Sequence, residues 1–144
     1  MTRLLKLTDF PAQTYDKLRY GDTDRQGHVN NAVFTTLFET GRVSLMDEAD
    51  RPLREPGFGF VIARLYVDYR GEIFWPGTVE IGTGVKAIGN SSITFIQALF
   101  QNEKCVATAE SVIVQVDAKE HRPVPIGEKM RGLLEKLRLA VPEV

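Results

Sequence analysis

The sequence predicts an α+β fold in which one long helix and one curved sheet cover each other's apolar faces. Two observations predict it. Apolar residues recur at helical spacing from Ala32 to about Ala49, and the chain beyond that stretch is divided into four long segments rich in strand formers. A shorter strand precedes the helix and a short amphipathic helix ends the chain, which completes the order of elements.

Residues 14–20, Thr-Tyr-Asp-Lys-Leu-Arg-Tyr, are strand formers that alternate poorly, and they predict the first strand. The stretch from Gly21 to Asn31 is polar and loop-like. Asn30 is a good N-cap for the helix, along which Val33, Phe34, Leu37, Phe38, Gly41, Leu45 and Met46 form the main stripe. Ala32 and Val43 fall outside that stripe, so the helix is expected to be buried on more than one side, as a wrapping sheet would bury it.

After a connection from Arg51 to Gly57, Val61, Ala63, Leu65, Val67 and Tyr69 alternate with Ile62, Arg64, Tyr66, Asp68 and Arg70 and predict a half-buried strand. Trp75-Pro76-Gly77 marks a turn. Val79, Ile81, Thr83, Val85 and Ala87 then predict the next strand, Ser92 to Gln101 another, and Cys105 to Val116 the last. These four are expected to form an antiparallel meander. From Gly127 to Leu139, Met130, Leu133, Leu134 and Leu137 lie on one face of a terminal helix.

At 144 residues, with no repeat or composition break, the chain is expected to be one domain over residues 1–144. A net charge of −1 and a pI near 6.1 supply no broad positive field, so neither nucleic acid nor an anionic membrane is an expected partner. Cys105 is the sole cysteine, which excludes an internal disulfide and suits a reducing compartment. The opening residues Met1 to Asp9 lack the apolar core of a signal peptide, and no run of about 18 apolar residues occurs. A cytoplasmic protein is expected.

Reactive groups are densest in Tyr20-Gly21-Asp22-Thr23-Asp24-Arg25-Gln26-Gly27-His28-Val29-Asn30-Asn31, where strand gives way to helix. Two carboxylates, an imidazole and two amides lie close to a helix N-terminus, whose free N–H groups favour developing negative charge. Gly27 frees the loop to turn Asp24 back toward the helix. Each group also has a plainer reading: Asp22 and Asp24 suit turns, and His28 suits hydrogen-bonded packing. A metal site on Asp22, Asp24 and His28 lacks a further histidine, so no metal and no cofactor is expected.

These residues resemble the 4-hydroxybenzoyl-CoA thioesterase-like branch of the hot-dog-fold superfamily. The resemblance covers nearly the whole chain: the Asp22-to-Asn31 loop, Phe38-Glu39-Thr40-Gly41-Arg42 in the helix, Tyr69 with Trp75-Pro76-Gly77, and Gly89-Asn90-Ser91-Ser92. It implies a long central helix wrapped by a five-stranded antiparallel sheet, hydrolysis of an acyl thioester to free acid and coenzyme A, and subunits paired as a homodimer or homotetramer with active sites at the interface. By the same resemblance Asp24 is the nucleophile or general base and the Asn31 backbone amide polarises the carbonyl. A carboxylate and an N–H donor at one carbonyl are also the minimum that thioester hydrolysis needs. Phe34 departs from the family, in which many relatives carry a tyrosine.

His28 joins Asp24 and Asn31 as a catalytic candidate, with Asp22, Asn30 and Glu39 behind them. Glu39 has the spacing to pair with Arg42, but other hot-dog thioesterases place their carboxylate on this helix. Tyr69, Ser91 and Ser92 are candidate substrate contacts, and Arg64, Arg70, Lys86 and Lys104 are available for coenzyme A phosphates. An acyl carrier protein thioester is an equal substrate candidate. No Gly-x-Ser-x-Gly elbow is present, and Cys105 suits a buried inert thiol. The rival functions are a non-catalytic acyl-thioester-binding protein and a hot-dog enoyl-thioester hydratase or dehydratase. The latter's loop contains proline, whereas none occurs between Asp22 and Asn31.

Overall fold

A computed structural model describes residues 6–47 and 53–139. The main elements are β1 (Ala12–Lys17), α1 (Asn31–Met46), β2 (Phe58–Tyr69), β3 (Thr78–Ile88), β4 (Ser92–Gln101), β5 (Lys104–Asp117) and α2 (Glu128–Glu135). The five strands form one antiparallel sheet in the order β1-β3-β4-β5-β2. The first strand thus ends earlier than expected, and Tyr20–Asp22 form a 3-10 turn instead. The last turn expected for α1, through Ala49, and the Arg51-Pro52 start of the connection lie outside the described residues.

The strand order corrects the four-strand meander. Only β3, β4 and β5 run as neighbours in sequence order, while β2 crosses to the far side and pairs with β5, from Phe58 opposite Asp117 to Tyr69 opposite Ala107. Alternation reports which residues share a face, not which strand lies next door, and an edge position was invisible to it. The expected half-burial of β2 fails for the same reason: Ile62, Leu65 and Tyr69 are 51%, 36% and 49% exposed.

Gly41 is what allows α1 to lie directly on the sheet. A Cβ there would stand 2.6 Å from Ile81 Cγ2, 2.7 Å from Gln97 Nε2 and 2.9 Å from Thr83 Oγ1, so only a residue without one permits the approach. Gln97, fully buried on β4, ties the two layers by donating to the Phe38 carbonyl at 2.9 Å and to Thr83 Oγ1 at 3.0 Å. Phe34, Leu37 and Phe38 then pack on Ile81, Leu99 and Ala107, and Leu45 and Met46 on Val85, Phe95 and Leu134. Met130 and Leu134 of α2 close that second cluster, as the terminal stripe predicts.

The N-terminal segment covers the opposite face of the sheet, where Phe10 lies over Gly82 and meets the Phe100 ring. Beyond Thr83, where β1 no longer pairs, the end of the chain takes up the vacant edge of β3: Val85 donates to the Leu137 carbonyl and Leu139 to the Val85 carbonyl. One edge is therefore capped. At the other edge, α1 packs mainly on β1, β3 and β4; the inward residues of β5, Ala107, Ala109 and Ile113, are still buried, whereas β2 is left thinly covered. No helix among the described residues is long and apolar enough to cross a membrane.

Candidate active site

The polar loop between β1 and α1 is held by its own backbone. Asp22 accepts the Arg19 backbone N–H at 2.8 Å and the Arg19 guanidinium at 3.1 Å, and its carbonyl receives the Asn30 N–H at 2.9 Å. Its carboxylate is buried and occupied. A bridge between Thr23 and Val29 closes a narrow loop, inside which Asp24 N donates to His28 O and Gly27 N to Asp24 O. Gly27 adopts φ 91°, which explains the glycine at this turn. Val29 N donates to the Ile73 carbonyl, so the loop is also docked on the segment after β2.

Asp24 uses one carboxylate oxygen within the loop, Oδ1 accepting from Gln26 N at 2.9 Å. Oδ2 faces His28 Nδ1 at 3.6 Å. On its other side the imidazole Nε2 lies 3.0 Å from Gln26 Oε1 and 3.4 Å from Glu72 Oε1. His28 is thus framed by three oxygen-bearing side chains, which hold its ring beside Asp24. Sequence reasoning missed Glu72. It lies far from the loop in sequence, and only the Val29–Ile73 docking brings it in.

Asn30 caps α1, its Oδ1 accepting from Ala32 N at 2.9 Å, and Asn31 is the first helical residue. The Asn31 N–H is one of the helix-start donors that have no intrahelical partner. Its carbonyl receives the Tyr69 hydroxyl at 3.3 Å, and the Tyr69 ring meets Phe34 edge-on at a centroid distance of 5.1 Å. Tyr69 is therefore brought to the helix start, and Phe34 offers it a ring rather than a hydroxyl.

The remaining candidates stand apart. Glu39 is exposed and lies just over two turns along α1 from Asn31, about 12 Å at the helical rise. Ser91 and Ser92 occupy the β3–β4 turn, where the Ser91 carbonyl receives Gln115 N and the Ser92 carbonyl receives Gly89 N. That turn is at the end of β3 opposite the loop, about 30 Å away at the strand rise. Within one chain the two serines do not meet Asp24. Lys86 pairs with Glu110 at 2.9 Å, and Arg64 lies across from Val112 on the same outer face. Among the described residues no group of three or more Asp, Glu, His or Cys side chains is placed to hold a metal ion; Asp22 turns away to Arg19.

Five antiparallel strands, one long helix seated on them and a carboxylate loop at the helix start define a hot-dog thioesterase. The model of the thioesterase-like superfamily matches residues 18–134, and the chain belongs to that family. It is similar to the acyl-CoA thioester hydrolase YbgC of Escherichia coli, 25% identical over 118 residues that cover 79% of this chain and 85% of YbgC. Among solved structures, the PA5185 protein of Pseudomonas aeruginosa superposes with a TM-score of 0.83 at 25% identity, covering 95% of this chain and 98% of that one. A Thermus thermophilus thioesterase complexed with coenzyme A and Zn gives 0.77 at 29% identity, covering 90% and 95%. The protein is a thioester hydrolase.

Proposed function

We propose that the substrate is an acyl-CoA and that Asp24 and the Asn31 amide carry the reaction. The observation that carries this reading is the contrast between the two loop carboxylates: Asp22 is consumed by Arg19, whereas Asp24 keeps Oδ2 open beside His28. As a general base, Asp24 takes a proton from water while the water oxygen attacks the thioester carbonyl carbon. The carbonyl oxygen becomes an oxyanion, which the Asn31 N–H and the positive end of α1 stabilise. Collapse expels the thiolate, which takes up a proton, and leaves the free acid. If Asp24 attacks directly, a mixed anhydride forms and water cleaves it. His28 holds the carboxylate in place in either case.

The coenzyme A assignment is supported by the name of the Escherichia coli relative and by the ligand of the Thermus structure. The oligomer implied by the family is supported by the exposed apolar residues of edge strand β2, a surface that unpaired strands seldom present. Antiparallel pairing of two β2 edges would bring the β3–β4 turn of one copy toward the helix start of the other. Ser91 and Ser92 then become substrate contacts supplied from across the interface.

The test is incubation of the purified protein with a panel of acyl-CoA substrates and a thiol-reactive dye. Hydrolysis releases free thiol, whereas hydration of the acyl chain or simple binding releases none. A panel spanning aromatic and aliphatic acyl groups that yields no thiol would overturn the reading.

A further inference from the structure

His28 has an acid on either side of its ring, and the two acids come from different parts of the chain. Asp24 belongs to the same loop, and its Oδ2 lies 3.6 Å from Nδ1. Glu72 belongs to the connection between β2 and β3, and its Oε1 lies 3.4 Å from Nε2. Glu72 is placed there by its neighbours. Before it, the Arg70 and Gly71 N–H groups both donate to the Val106 carbonyl, at 2.9 and 3.0 Å; after it, the carbonyl of the buried Ile73 receives Val29 N at 2.8 Å, and the Gln101 side chain bonds both Phe74 N and Phe74 O. The Glu72 side chain itself is 58% exposed, so the ion pair adds little to stability. Its effect falls on where the ring keeps its proton.

A neutral imidazole has one N–H and one lone pair, and its neighbours decide which nitrogen has which. Nε2 faces two oxygens, Gln26 Oε1 at 3.0 Å and Glu72 Oε1 at 3.4 Å, while Nδ1 faces one, Asp24 Oδ2. The Gln26 amide does not choose, because turning it over would offer a donor to an unprotonated Nε2 instead. An ionised carboxylate has no such option and only accepts. Asp24 exerts the opposite pull on Nδ1, but from further away and with Oδ1 already bonded to Gln26 N.

Resting on the reading of Asp24 as general base, we propose that Glu72 is a positioning residue that keeps a proton on His28 Nε2, so that Nδ1, beside Asp24, is the ring nitrogen that exchanges protons during hydrolysis. One acid orients the ring and leaves the other nitrogen for chemistry. As the water oxygen bonds the carbonyl carbon, one O–H bond of the water breaks and its proton passes to Asp24 Oδ2, where the Nδ1 lone pair helps to hold it. When the C–S bond breaks, the electron pair leaves on sulfur and the same proton goes from the Asp24–His28 pair to the thiolate. Acid and thiol depart, and the loop is back in its starting protonation. With the ring proton on Nδ1 instead, the proton that Asp24 gains would have no acceptor there.

Correlation spectra of the ring protons with the ring nitrogens read the site of protonation directly. The chain has two histidines, so His121→Asn assigns the His28 signals. As the pH is raised through the ordinary histidine range, wild-type His28 is expected to lose its proton from Nδ1 and keep the one on Nε2. In Glu72→Ala the neutral ring is expected to divide its proton between the two nitrogens. Loss from Nε2 in the wild type, or an unchanged tautomer in Glu72→Ala, would overturn the proposal. Thiol release gives a second readout: Glu72→Ala should lower kcat about 10-fold with KM nearly unchanged, less than the ~10²-fold or more of a positioned acid or base. In a His28→Ala background it should cost nothing further, because it acts through the ring. A loss that adds in full to that of His28→Ala would sink the idea. Glu72→Gln, which keeps the bulk of the side chain, replaces Glu72→Ala if thermal melts show the latter destabilised, with the same outcomes expected. The ring spectra need no turnover, so the two levels separate: an active Asp24→Asn defeats the general-base reading, whereas a dead Asp24→Asn with the wrong nitrogen protonated in the wild type defeats this inference alone.

Discussion

Asp22 and Arg19 form a closed clasp: both carboxylate oxygens of the buried Asp22 are taken by the backbone and guanidinium N–H groups of the residue three positions earlier. Asp24, two residues further on, is left with an oxygen facing an imidazole. The two acids of the loop are therefore expected to fail differently. Asp24→Asn should fold and melt as the wild type but lose at least ~10²-fold in kcat, the lower end of what a positioned acid or base contributes. Asp22→Ala should instead lose about 1–3 kcal/mol of stability by removing the charged acceptor of two part-buried hydrogen bonds from Arg19. Steady-state kinetics with thermal melts on both variants decides. A dead Asp22→Asn beside an active Asp24→Asn would reverse the roles.

Gly41 gives a prediction about the scaffold rather than the chemistry. Its missing Cβ is the gap into which Ile81, Thr83 and the Gln97 amide fit. Gly41→Ala gains helix propensity in isolation, worth about 1 kcal/mol. The new methyl must push α1 off the sheet or break the Gln97 bridge to Phe38 O, an overpacking cost of about 1–3 kcal/mol that outweighs the gain. A lowered denaturation midpoint is expected, and an unchanged or raised one would mean the helix shifts freely.

The helix and the loop were legible in the sequence because their signals are local. The Asn30 cap, the stripe from Phe34 to Met46 and the crowding of acids and amides before them all lie within one stretch of chain. What was not legible depends on topology. The alternation in Val61 to Tyr69 identifies a strand, yet nothing in it says that β2 pairs with β5 at an edge rather than with β3. Glu72 reaches His28 only because Ile73 accepts a bond from Val29, and Ser91 and Ser92 look like neighbours of the site only until the direction of β3 is known. Arg42 read as the partner of Glu39 because spacing allows that pair; the structure turns it to Gln97 instead.

Cys105 bears on how hydrolysis is measured. Burial raises its thiol pKa, with nearby Arg70 and a backbone hydrogen bond from Ala107 pulling the other way and falling short. At a given pH the thiolate fraction is smaller than in a free cysteine, and its reactivity profile moves to higher pH. Native protein alone is expected to react with a thiol dye more slowly than free cysteine at about pH 8, and denaturant should remove the difference. Reaction of the native protein at the free-thiol rate would show that the site opens readily.

The Asn31 amide can be removed almost in isolation, because it belongs to the first residue of α1 and has no intrahelical bond to lose. Proline is favoured at that position for the same reason. It also restricts its predecessor to extended geometry, and Asn30 already sits at φ −61° and ψ 139°. The Asn30 cap on Ala32 N and the Tyr69 bond to the Asn31 carbonyl both remain available in Asn31→Pro. The variant is therefore expected to melt close to the wild type, while Asn31→Ala controls for loss of the side chain. If the N–H holds the developing oxyanion, kcat should fall roughly 10²–10³-fold in the proline variant and much less in the alanine variant. Equal activity in the two folded variants would remove the Asn31 N–H from the mechanism and leave another helix-start amide, or a side chain, to hold the charge.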